Sequence, residues 1–379
     1  MRRAGPGTGG GRRKAPAAPA AAPAVRERQR QDRPETDSVM KRERFVELLE
    51  QFTSKRVLVA GDFILDEYLV GDTKRVSREA PVVVIDYKES AHHPGGAANA
   101  VQNVTAVGAA AEAVGVVGAD HYGQVLRDIL AGRGAGVEGI VTAGEITTAV
   151  KTRILAGDLH AQKQQVARID RSYRIARSSP AIDEVRRRAL ERIEAADVVL
   201  ISDYAMGVVP GPVSEALIAA AKRRGIPVVV DSRFDLPSYK GATVATPNEV
   251  ELFDAMNVKK RDTADLVALA KRAIEETGLA GLIITRGSRG MLVCDSAGRI
   301  DRIGIVGTRD VTDVTGAGDS VAAVVGLSLA SGAVLAEAAE MATYAASIVV
   351  MKRGTATMTR EELIAARDKQ PAPFDPGDR

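Results

Sequence analysis

The sequence contains no tryptophan and a single cysteine among its 379 residues. Aromatic residues make up only 3% of the chain, which disfavours a protein that binds single-stranded nucleic acid by stacking bases on aromatic rings. The lone Cys294 excludes an intramolecular disulfide, so the fold does not depend on an oxidising compartment and we expect a cytoplasmic protein. We interpret this thiol, within "MLVC", as a buried strand residue rather than as a catalytic nucleophile.

Several motifs are also missing. No apolar run approaches the roughly 18 residues of a membrane-spanning helix, and we expect no membrane partner. The sequence has neither the G-x-x-x-x-G-K-[ST] loop of Walker-type nucleotide sites nor a G-x-S-x-G nucleophile elbow. "GAGVEG" (134–139) matches G-x-G-x-x-G, but a helical pattern precedes it and a strand pattern follows, the reverse of a dinucleotide site. The four histidines lack the spacing of metal ligands.

Positive charge is concentrated at the start of the chain. Residues 1–37 hold nine Lys or Arg and four Asp or Glu, a net +5, whereas the whole chain carries +3, so the remainder is mildly acidic. Ala, Gly, Pro and Arg dominate this segment and offer no apolar face, so we expect residues 1–38 to form a disordered basic tail. The alternatives are a transit peptide, a nucleic-acid tether acting through charge alone, or an over-extended gene start before Met40.

From residue 57 onward, apolar strand patterns alternate with helical patterns. Strands are predicted at 57–60, 111–118, 197–202, 226–231 and 281–286, and helices at 95–108, 122–132, 182–195, 212–224 and 262–277. This alternation predicts an α/β fold with a central, mainly parallel sheet between two layers of helices. Ligands of such sheets bind at the carboxyl ends of the strands. Polar residues cluster there: Asp62, Asp66, Ser202, Asp203, Asp231 and Asn248.

Two segments interrupt the alternation with strand patterns that have no helical partner. They cover about residues 67–92 and 142–172, and we expect them to form a small β-sheet that acts as a lid. The main domain is predicted to span residues 39–368. The Pro- and Asp-containing residues 369–379 are expected to form a short flexible tail.

A turn of small residues leads into an aspartate in "VTDVTGAGD" (311–319), where an apolar helical pattern begins. Backbone N–H groups at a helix N-terminus attract anions, and glycines let a phosphate approach them closely. Asp319 would repel such a phosphate, but it has a clear role if it accepts the proton of a hydroxyl that attacks the phosphate. The motif therefore favours phosphoryl transfer to an alcohol. An ordinary helix start with an acidic first turn is the structural alternative.

This turn belongs to an ordered set of motifs that resembles the ribokinase-like carbohydrate kinases of the phosphofructokinase-B type. The resemblance covers about residues 55–366 and implies a ribokinase-like three-layer fold with a lid. The matching segments are "GDFILDEY" (61–68), "PGGAANAVQNVTAVGA" (94–109), "TPNEVE" (246–251), "TRGSRG" (285–290) and "DVTGAGD" (313–319).

The resemblance implies a role for each matched position. Asp319 is expected to be the catalytic base, and the anion hole is expected at Gly316, Ala317 and Gly318. The sugar would be held by Asp66, Gly95, Gly96 and Asn99. ATP would be held by Asn248, Thr285, Arg286, Gly287, Gly290, Asp313 and Thr315. Asn248 and Glu251 would organise Mg²⁺ through water, and dependence on a monovalent cation is left open.

Four segments resemble, within this family, the kinases of D-glycero-β-D-manno-heptose 7-phosphate in ADP-heptose synthesis: 75–86, 151–170, 202–207 and 313–321. A substrate that already bears a phosphate needs cations, and the lid offers Arg78, Lys151, Arg153 and Arg168. Two positions depart from the related enzymes. Met206 replaces their usual lysine, and Asp231-Ser232-Arg233 replaces Asp-Pro-Lys, which keeps the positive charge.

The resemblance thus implies an ATP-dependent kinase that makes the 1,7-bisphosphate, with no nucleic-acid partner. We expect a homodimer through the lid, because pairing covers the edges of small exposed sheets. No nucleotidyltransferase pattern follows the kinase pattern, so a separate polypeptide would add the nucleotide. The alternatives are a related kinase for another sugar, sugar phosphate or nucleoside, and a non-catalytic sugar- or nucleotide-binding regulator. The intact Asp319 and its glycine turn argue against the regulator.

Overall fold

A computed structural model describes residues 40–158, 163–259, 265–308 and 311–374. The basic tail expected at residues 1–38 therefore lies outside the described residues, and so do residues 375–379 of the expected C-terminal tail. Both tails, and the domain boundaries that they define, stay predictions.

The described residues form twelve strands and ten α-helices. The strands are β1 (Arg56–Val76), β2 (Val83–Gly96), β3 (Ala110–Gly118), β4 (Gly136–Ala143), β5 (Ala149–Gly157), β6 (Gln164–Arg171), β7 (Val198–Asp203), β8 (Val228–Ser232), β9 (Val244–Ala245), β10 (Gly281–Thr285), β11 (Met291–Asp295) and β12 (Ile300–Ile303). The helices are α1 (Arg42–Gln51), α2 (Ala97–Ala106), α3 (His121–Gly132), α4 (Pro180–Arg192), α5 (Pro212–Arg224), α6 (Glu249–Ala255), α7 (Leu266–Thr277), α8 (Ala317–Ala330), α9 (Leu335–Val349) and α10 (Arg360–Lys369).

In the described part of the chain, nine strands form the central sheet, in the order β12-β11-β10-β9-β8-β7-β1-β3-β4. Pairing is parallel from β10 to β4 and antiparallel only at the β10–β11–β12 edge. One apolar core, which includes residues of α2, α8 and α9, covers one face, and a second, which includes residues of α4, α5 and α7, covers the other. Both faces are buried, which explains the nearly continuous Val, Ile and Leu runs of these strands. The predicted three-layer α/β fold is confirmed.

The first strand is much longer than the sequence predicts. The apolar pattern ends at residue 60, whereas β1 spans 21 residues. Its first part pairs with β3 and β7 in the central sheet, and its second part pairs with β2 and β5. The Gly61-Asp62 pair looked like a strand end. The glycine instead allows a close approach, because a Cβ there would lie 2.3 Å from the carbonyl oxygen of Ser202.

The lid is a four-stranded sheet in the order β2-β1-β5-β6. The pairs β1–β2 and β5–β6 are antiparallel, and β1–β5 is parallel. The segments predicted at 67–92 and 142–172 therefore meet in one sheet, and β1 joins that sheet to the central one. Because β1 is continuous, residues near Asp66 lie at the carboxyl ends of the central strands and also at the root of the lid.

Contacts between distant parts of the chain hold the ends of the domain. The backbone N–H of Met40 donates to Glu340 Oε2 at 3.0 Å. The side chain of Gln370 accepts from the backbone of Gly307, and Phe374 pairs with Ile305 as an isolated bridge, so residues 370–374 lie against the main domain. Within the described part of the chain, no helix combines the length and apolar character needed to cross a membrane.

Candidate active site

Asp319 lies in the first turn of α8, and only 2% of its surface is exposed. The residue before the helix is Gly316, with φ of 77°, a left-handed conformation that glycine adopts without steric cost. A Cβ at Gly316 would lie 2.4 Å from Nδ2 of Asn99. The glycine is therefore required both by the backbone and by the close approach of α2.

Both carboxylate oxygens of Asp319 accept hydrogen bonds. The amide of Asn99 donates to Oδ2 at 2.7 Å, and the hydroxyl of Tyr204 donates to Oδ1 at 3.0 Å. Burial, together with the negative charge of Asp66, raises the pKa of Asp319 to about 7, although the two hydrogen bonds and the charge of Lys151 oppose the shift. A carboxylate with this pKa can accept a proton near neutral pH, as a general base must.

The glycine turn is open on the side away from Asn99. A Cβ at Gly318 would find its nearest neighbour, Oδ2 of Asp231, at 3.6 Å, an ordinary contact distance. Of the three residues predicted as an anion hole, Ala317 already donates its backbone N–H to the carbonyl of Val314 at 3.2 Å. The turn thus offers room for an anion beside the base, and the anion-hole role stays a prediction.

The sugar-side residues meet at the root of the lid. Asp66 is buried and pairs with Arg153, with 2.6 Å between Oδ1 and Nη1. Gly95 lies opposite, where a Cβ would be 2.8 Å from Oδ2 of Asp66, and Gly96 has φ of 56° at the start of α2. Asn99 also lies here, but its amide contacts the predicted base directly. The structure therefore brings the four predicted sugar-binding residues together.

The lid cations divide into two groups. The ammonium of Lys151 lies 5.3 Å from the centre of the Tyr204 ring. Burial holds the pKa of Lys151 below its ordinary value, although the charge of Asp66 opposes this shift. Arg153 pairs with Asp66. In contrast, Arg168 is half exposed and pairs with Asp170, and Arg78 is exposed in the loop before β2. The structure brings Lys151 and Arg153 to the site and leaves Arg168 and Arg78 at the surface.

The predicted nucleotide residues lie at the neighbouring strand ends. Asn248 caps α6: its Oδ1 accepts from the backbone N–H of Glu251, and Glu251 Oε2 accepts from the backbone N–H of Asn248, both at 2.9 Å. Thr285, at the end of β10, forms a parallel bridge with Asn248. The guanidinium of Arg286 pairs with Glu249 at 2.9 Å, and the tight turn after it includes Gly287 and Gly290, both with positive φ.

Asp313 and Thr315 join the segment before α8 to the chain after α9. The carboxylate of Asp313 accepts from the backbone N–H groups of Thr315 and Gly354, each at 2.9 Å. Burial alone would raise the pKa of Asp313, but hydrogen bonds from Thr315 and Gly354 hold it below its ordinary value. Asp313 is therefore an ionised, well-anchored acceptor at the edge of the site, where a nucleotide or a cation could contact it.

Four residues at or next to the base were not given a specific catalytic or binding role from the sequence. They are Tyr204, Asp62, Asp231 and Arg233. Burial and the charge of Asp319 hold the pKa of Asp231 well above its ordinary range, and Arg233 opposes that shift. The aspartates follow apolar strands, which marked them as strand-end residues, but no sequence signal showed that Tyr204 reaches across to α8.

Met206, where related enzymes carry lysine, is 7% exposed and packs with Ile64, Ala149, Tyr173 and Tyr204. The side chain at this position is therefore apolar and buried, and it supplies no charge to the site. Among the described residues, no three His, Cys, Asp or Glu side chains converge as a metal-ion site would require.

The pfkB family carbohydrate kinase model matches residues 54–362. The bifunctional protein HldE of Citrifermentans bemidjiense is 39% identical over 327 residues, which are 86% of this chain and 66% of that protein. HldE of Geobacter sulfurreducens is 39% identical over 318 residues, 82% of this chain and 62% of that protein. The chain thus spans just under two thirds of the length of these relatives.

Two examples illustrate the solved structures that share the fold. Arabidopsis thaliana ribokinase, complexed with ribose and ATP, has a TM-score of 0.61 at 18% identity and covers 82% of this chain and 98% of its own. Escherichia coli phosphofructokinase-2, in complex with potassium, has a TM-score of 0.65 at 18% identity, and the match covers 83% of this chain and 98% of that protein. The family match spans most of the described residues and all of the strands at the site. The chain therefore belongs to the pfkB family of carbohydrate kinases, enzymes that transfer a phosphoryl group to an alcohol.

Proposed function

We propose that this chain uses ATP to phosphorylate D-glycero-β-D-manno-heptose 7-phosphate to the 1,7-bisphosphate, as a step of ADP-heptose synthesis in the cytoplasm. The observation that carries the kinase chemistry is the buried carboxylate of Asp319, with a pKa of about 7, directly after an open glycine turn. The heptose substrate is favoured by four segments that resemble heptose 7-phosphate kinases and by the 39% identity to proteins named HldE.

The residues around Asp319 can perform the transfer as follows. The hydroxyl of the sugar gives its proton to the carboxylate of Asp319, while its oxygen forms a bond to the γ-phosphorus of ATP. The bond between that phosphorus and the oxygen bridging to the β-phosphate breaks, and ADP leaves. A positioned base contributes roughly 10²- to 10⁴-fold to such a rate. Backbone N–H groups of the glycine turn would stabilise charge on the transferred group.

Cationic side chains near the base differ in how far they are engaged by acidic groups. Arg153 is committed to Asp66, whereas Lys151 lies beside Tyr204 and acts electrostatically on Asp319. The positive charge of Arg233 lowers the pKa of the Asp231 carboxyl and that of the Lys151 ammonium. We assign Lys151 and Arg233 to the phosphates, and Asp66 with the neighbouring glycines to the sugar hydroxyls. Charged donors suit this role because hydrogen bonds to phosphate are strongest when the donor is ionised.

Mg²⁺ fits this site best as a hydrated ion. The helix cap engages Oδ1 of Asn248 and one oxygen of Glu251, and among the described residues no three His, Cys, Asp or Glu side chains converge to hold a bare ion. Mg²⁺ usually keeps several waters and binds through one or two carboxylates together with substrate phosphates. Asn248 and Glu251 could hold such an ion through water. When bound, it would neutralise charge on the β- and γ-phosphates.

We also propose that the lid mediates a homodimer. Large apolar side chains are exposed on its strands, among them Val76, Val83, Tyr87 and Ile169, which are 48–62% exposed. An exposed apolar sheet face of this kind marks an interaction surface or an aggregation liability. A second copy of the chain can cover both the face and the free edge.

The decisive test is ADP release in the presence of ATP and Mg²⁺ with heptose 7-phosphate, ribose, fructose 6-phosphate or adenosine. We expect turnover selective for the heptose phosphate, and a loss of roughly 10²- to 10⁴-fold in Asp319→Asn. Turnover on another sugar would refute the heptose assignment but keep the mechanism. Binding of ATP without turnover on any of the four would favour a regulator.

A further inference from the structure

We propose that Tyr204 is a positioning residue for the base: its hydroxyl orients the carboxylate of Asp319 for proton transfer, and the buried carboxylate of Asp62 holds its backbone in place. This inference rests on the proposed function, in which Asp319 accepts the proton of the sugar hydroxyl. The contact of Tyr204 with Asp319 links the loop after β7 directly to the carboxylate on α8.

The two hydrogen bonds to Asp319 come from different elements and reach different oxygens. Asn99 on α2 contacts Oδ2, and Tyr204 after β7 contacts Oδ1. The terminal torsion of an aspartate is broad, so a single donor would leave the carboxylate free to turn about that contact. Two donors on opposite oxygens fix the plane of the group. Asn99 is itself fixed, because its Oδ1 accepts from Gln102 and Asn103.

The backbone of the loop after β7 is shaped to direct this tyrosine. Oδ2 of Asp62, which is fully buried, accepts from the backbone N–H of Tyr204 at 2.8 Å and of Met206 at 3.0 Å. Ala205, between them, has φ of 65° and donates its N–H to Asp203 at 2.8 Å. A non-glycine residue in the left-handed region is strained and persists only where its surroundings demand it. Here two buried carboxylates impose it.

The charges around the pair are compatible with this role. Asp319 is faced by Asp66 on β1, Lys151 on β5 and Asp231 on β8, and Tyr204 is faced by Asp231, Arg233 and Lys151. Burial holds the pKa of Tyr204 well above its ordinary value, so its hydroxyl keeps its proton and donates throughout the working pH range. A donor to a carboxylate favours the ionised form. Loss of the hydroxyl should therefore raise the pKa of Asp319.

The test is the pH profile of kcat/KM for Tyr204→Phe, which keeps the ring and removes only the hydroxyl. We expect the acidic limb to move up by about one pH unit, and kcat on the alkaline plateau to fall by roughly tenfold because the base is less well oriented. Tyr173→Phe is the matched control. This partly buried tyrosine packs on the same cluster, and its hydroxyl contacts the carbonyl of Val116, so its profile should match that of the wild type. A Tyr204→Phe profile that superimposes on the wild type would overturn the proposal.

Asp62→Asn provides a second variant. If Asp62 acts on the base through Tyr204, the effects of the two substitutions on kcat should not be additive. Asp62→Asn should lower kcat in the wild-type background and have little further effect in the Tyr204→Phe background. Equal effects in both backgrounds would show that Asp62 does not act through Tyr204.

Two further measurements separate this inference from the proposed function. If Asp319→Asn keeps full activity, Asp319 is not the base, whatever Tyr204→Phe does. If Asp319→Asn is inactive and the Tyr204→Phe profile is unchanged, only the inference fails. The ¹³C carboxyl resonance of Asp319, followed against pH without substrate, reports its pKa directly. It should titrate about one unit higher in Tyr204→Phe even if the sugar substrate proves to be a different one.

Discussion

Gly316→Ala tests whether the glycine turn is required by the fold or only by the ligand. The alanine would have to adopt φ of 77°, and its Cβ would lie 2.4 Å from the amide nitrogen of Asn99. The left-handed backbone costs about 1–2 kcal/mol. Displacing Asn99 loses its hydrogen bonds to the Gly316 carbonyl and to Asp319, about 1 kcal/mol for the neutral one and about 1.5–3 kcal/mol for the charged one. The free energy of unfolding should therefore fall by about 3.5–6 kcal/mol.

Urea denaturation followed by circular dichroism measures this change, and the kinase assay measures the accompanying loss of turnover. Gly318→Ala is the matched control, because its Cβ would lie 3.6 Å from its nearest neighbour, Oδ2 of Asp231. An alanine inside a helix is favoured over glycine by roughly 0.5–1 kcal/mol, so this variant should be at least as stable as the wild type. Its methyl group narrows the approach to the turn and should lower kcat. A Gly316→Ala protein with wild-type stability would refute the reasoning.

Arg153→Met leaves Asp66 buried without its partner and should lower the free energy of unfolding by about 3–5 kcal/mol, measured by urea denaturation; an unchanged midpoint would contradict the burial of this pair. The rate of turnover should rise roughly tenfold per pH unit below pH 7 and level off above it, because Asp319 must be ionised; a flat profile from pH 5.5 to 8 would exclude it as the base. Stability should change in the opposite sense, because burial raises the pKa of both Asp62 and Asp319 to about 7 in the folded state. The stabilisation from these two protonated carboxyls is fully present below about pH 4 and is lost as pH rises through about 7. The urea midpoint should therefore be lower at pH 8 than at pH 5. Val83→Glu, on the exposed lid face, should convert a dimer to a monomer in analytical ultracentrifugation, and a monomeric wild type would refute the lid interface.

The layer order and the strand-end location of the site could be predicted from the sequence. Alternating strand and helix patterns imply a parallel sheet, and such sheets bind ligands at the carboxyl ends of their strands. The positions of Asp66, Asn248 and Asp319 followed from that rule and from the family motifs. The first turn of α8 also matched, because a glycine before an acidic residue and an apolar run is a strong helix-start signal.

The remaining features depend on contacts between segments far apart in sequence. The length of β1 could not be predicted from the sequence. Its first part pairs with β3 and β7 and its second part with β2 and β5. The change of partners follows Gly61-Asp62, a pair that the sequence pattern indicates as the end of the strand. Tyr204 could not be assigned, because its hydroxyl bonds a residue 115 positions away. Arg168 was grouped with Lys151 and Arg153 by its position in the lid, but its side chain pairs locally with Asp170.

The two central carboxylates are set apart by the kind of donor that each contacts. Asp66 pairs with the guanidinium of Arg153, whereas the direct donors to Asp319 are the neutral amide of Asn99 and the neutral hydroxyl of Tyr204. An adjacent cation lowers a carboxyl pKa by about 1–3 units, which would make Asp319 a poor acceptor at neutral pH. Neutral donors orient the base and leave its pKa near 7. In the proposed mechanism, the same residue type therefore holds the substrate at one position and accepts a proton at the other.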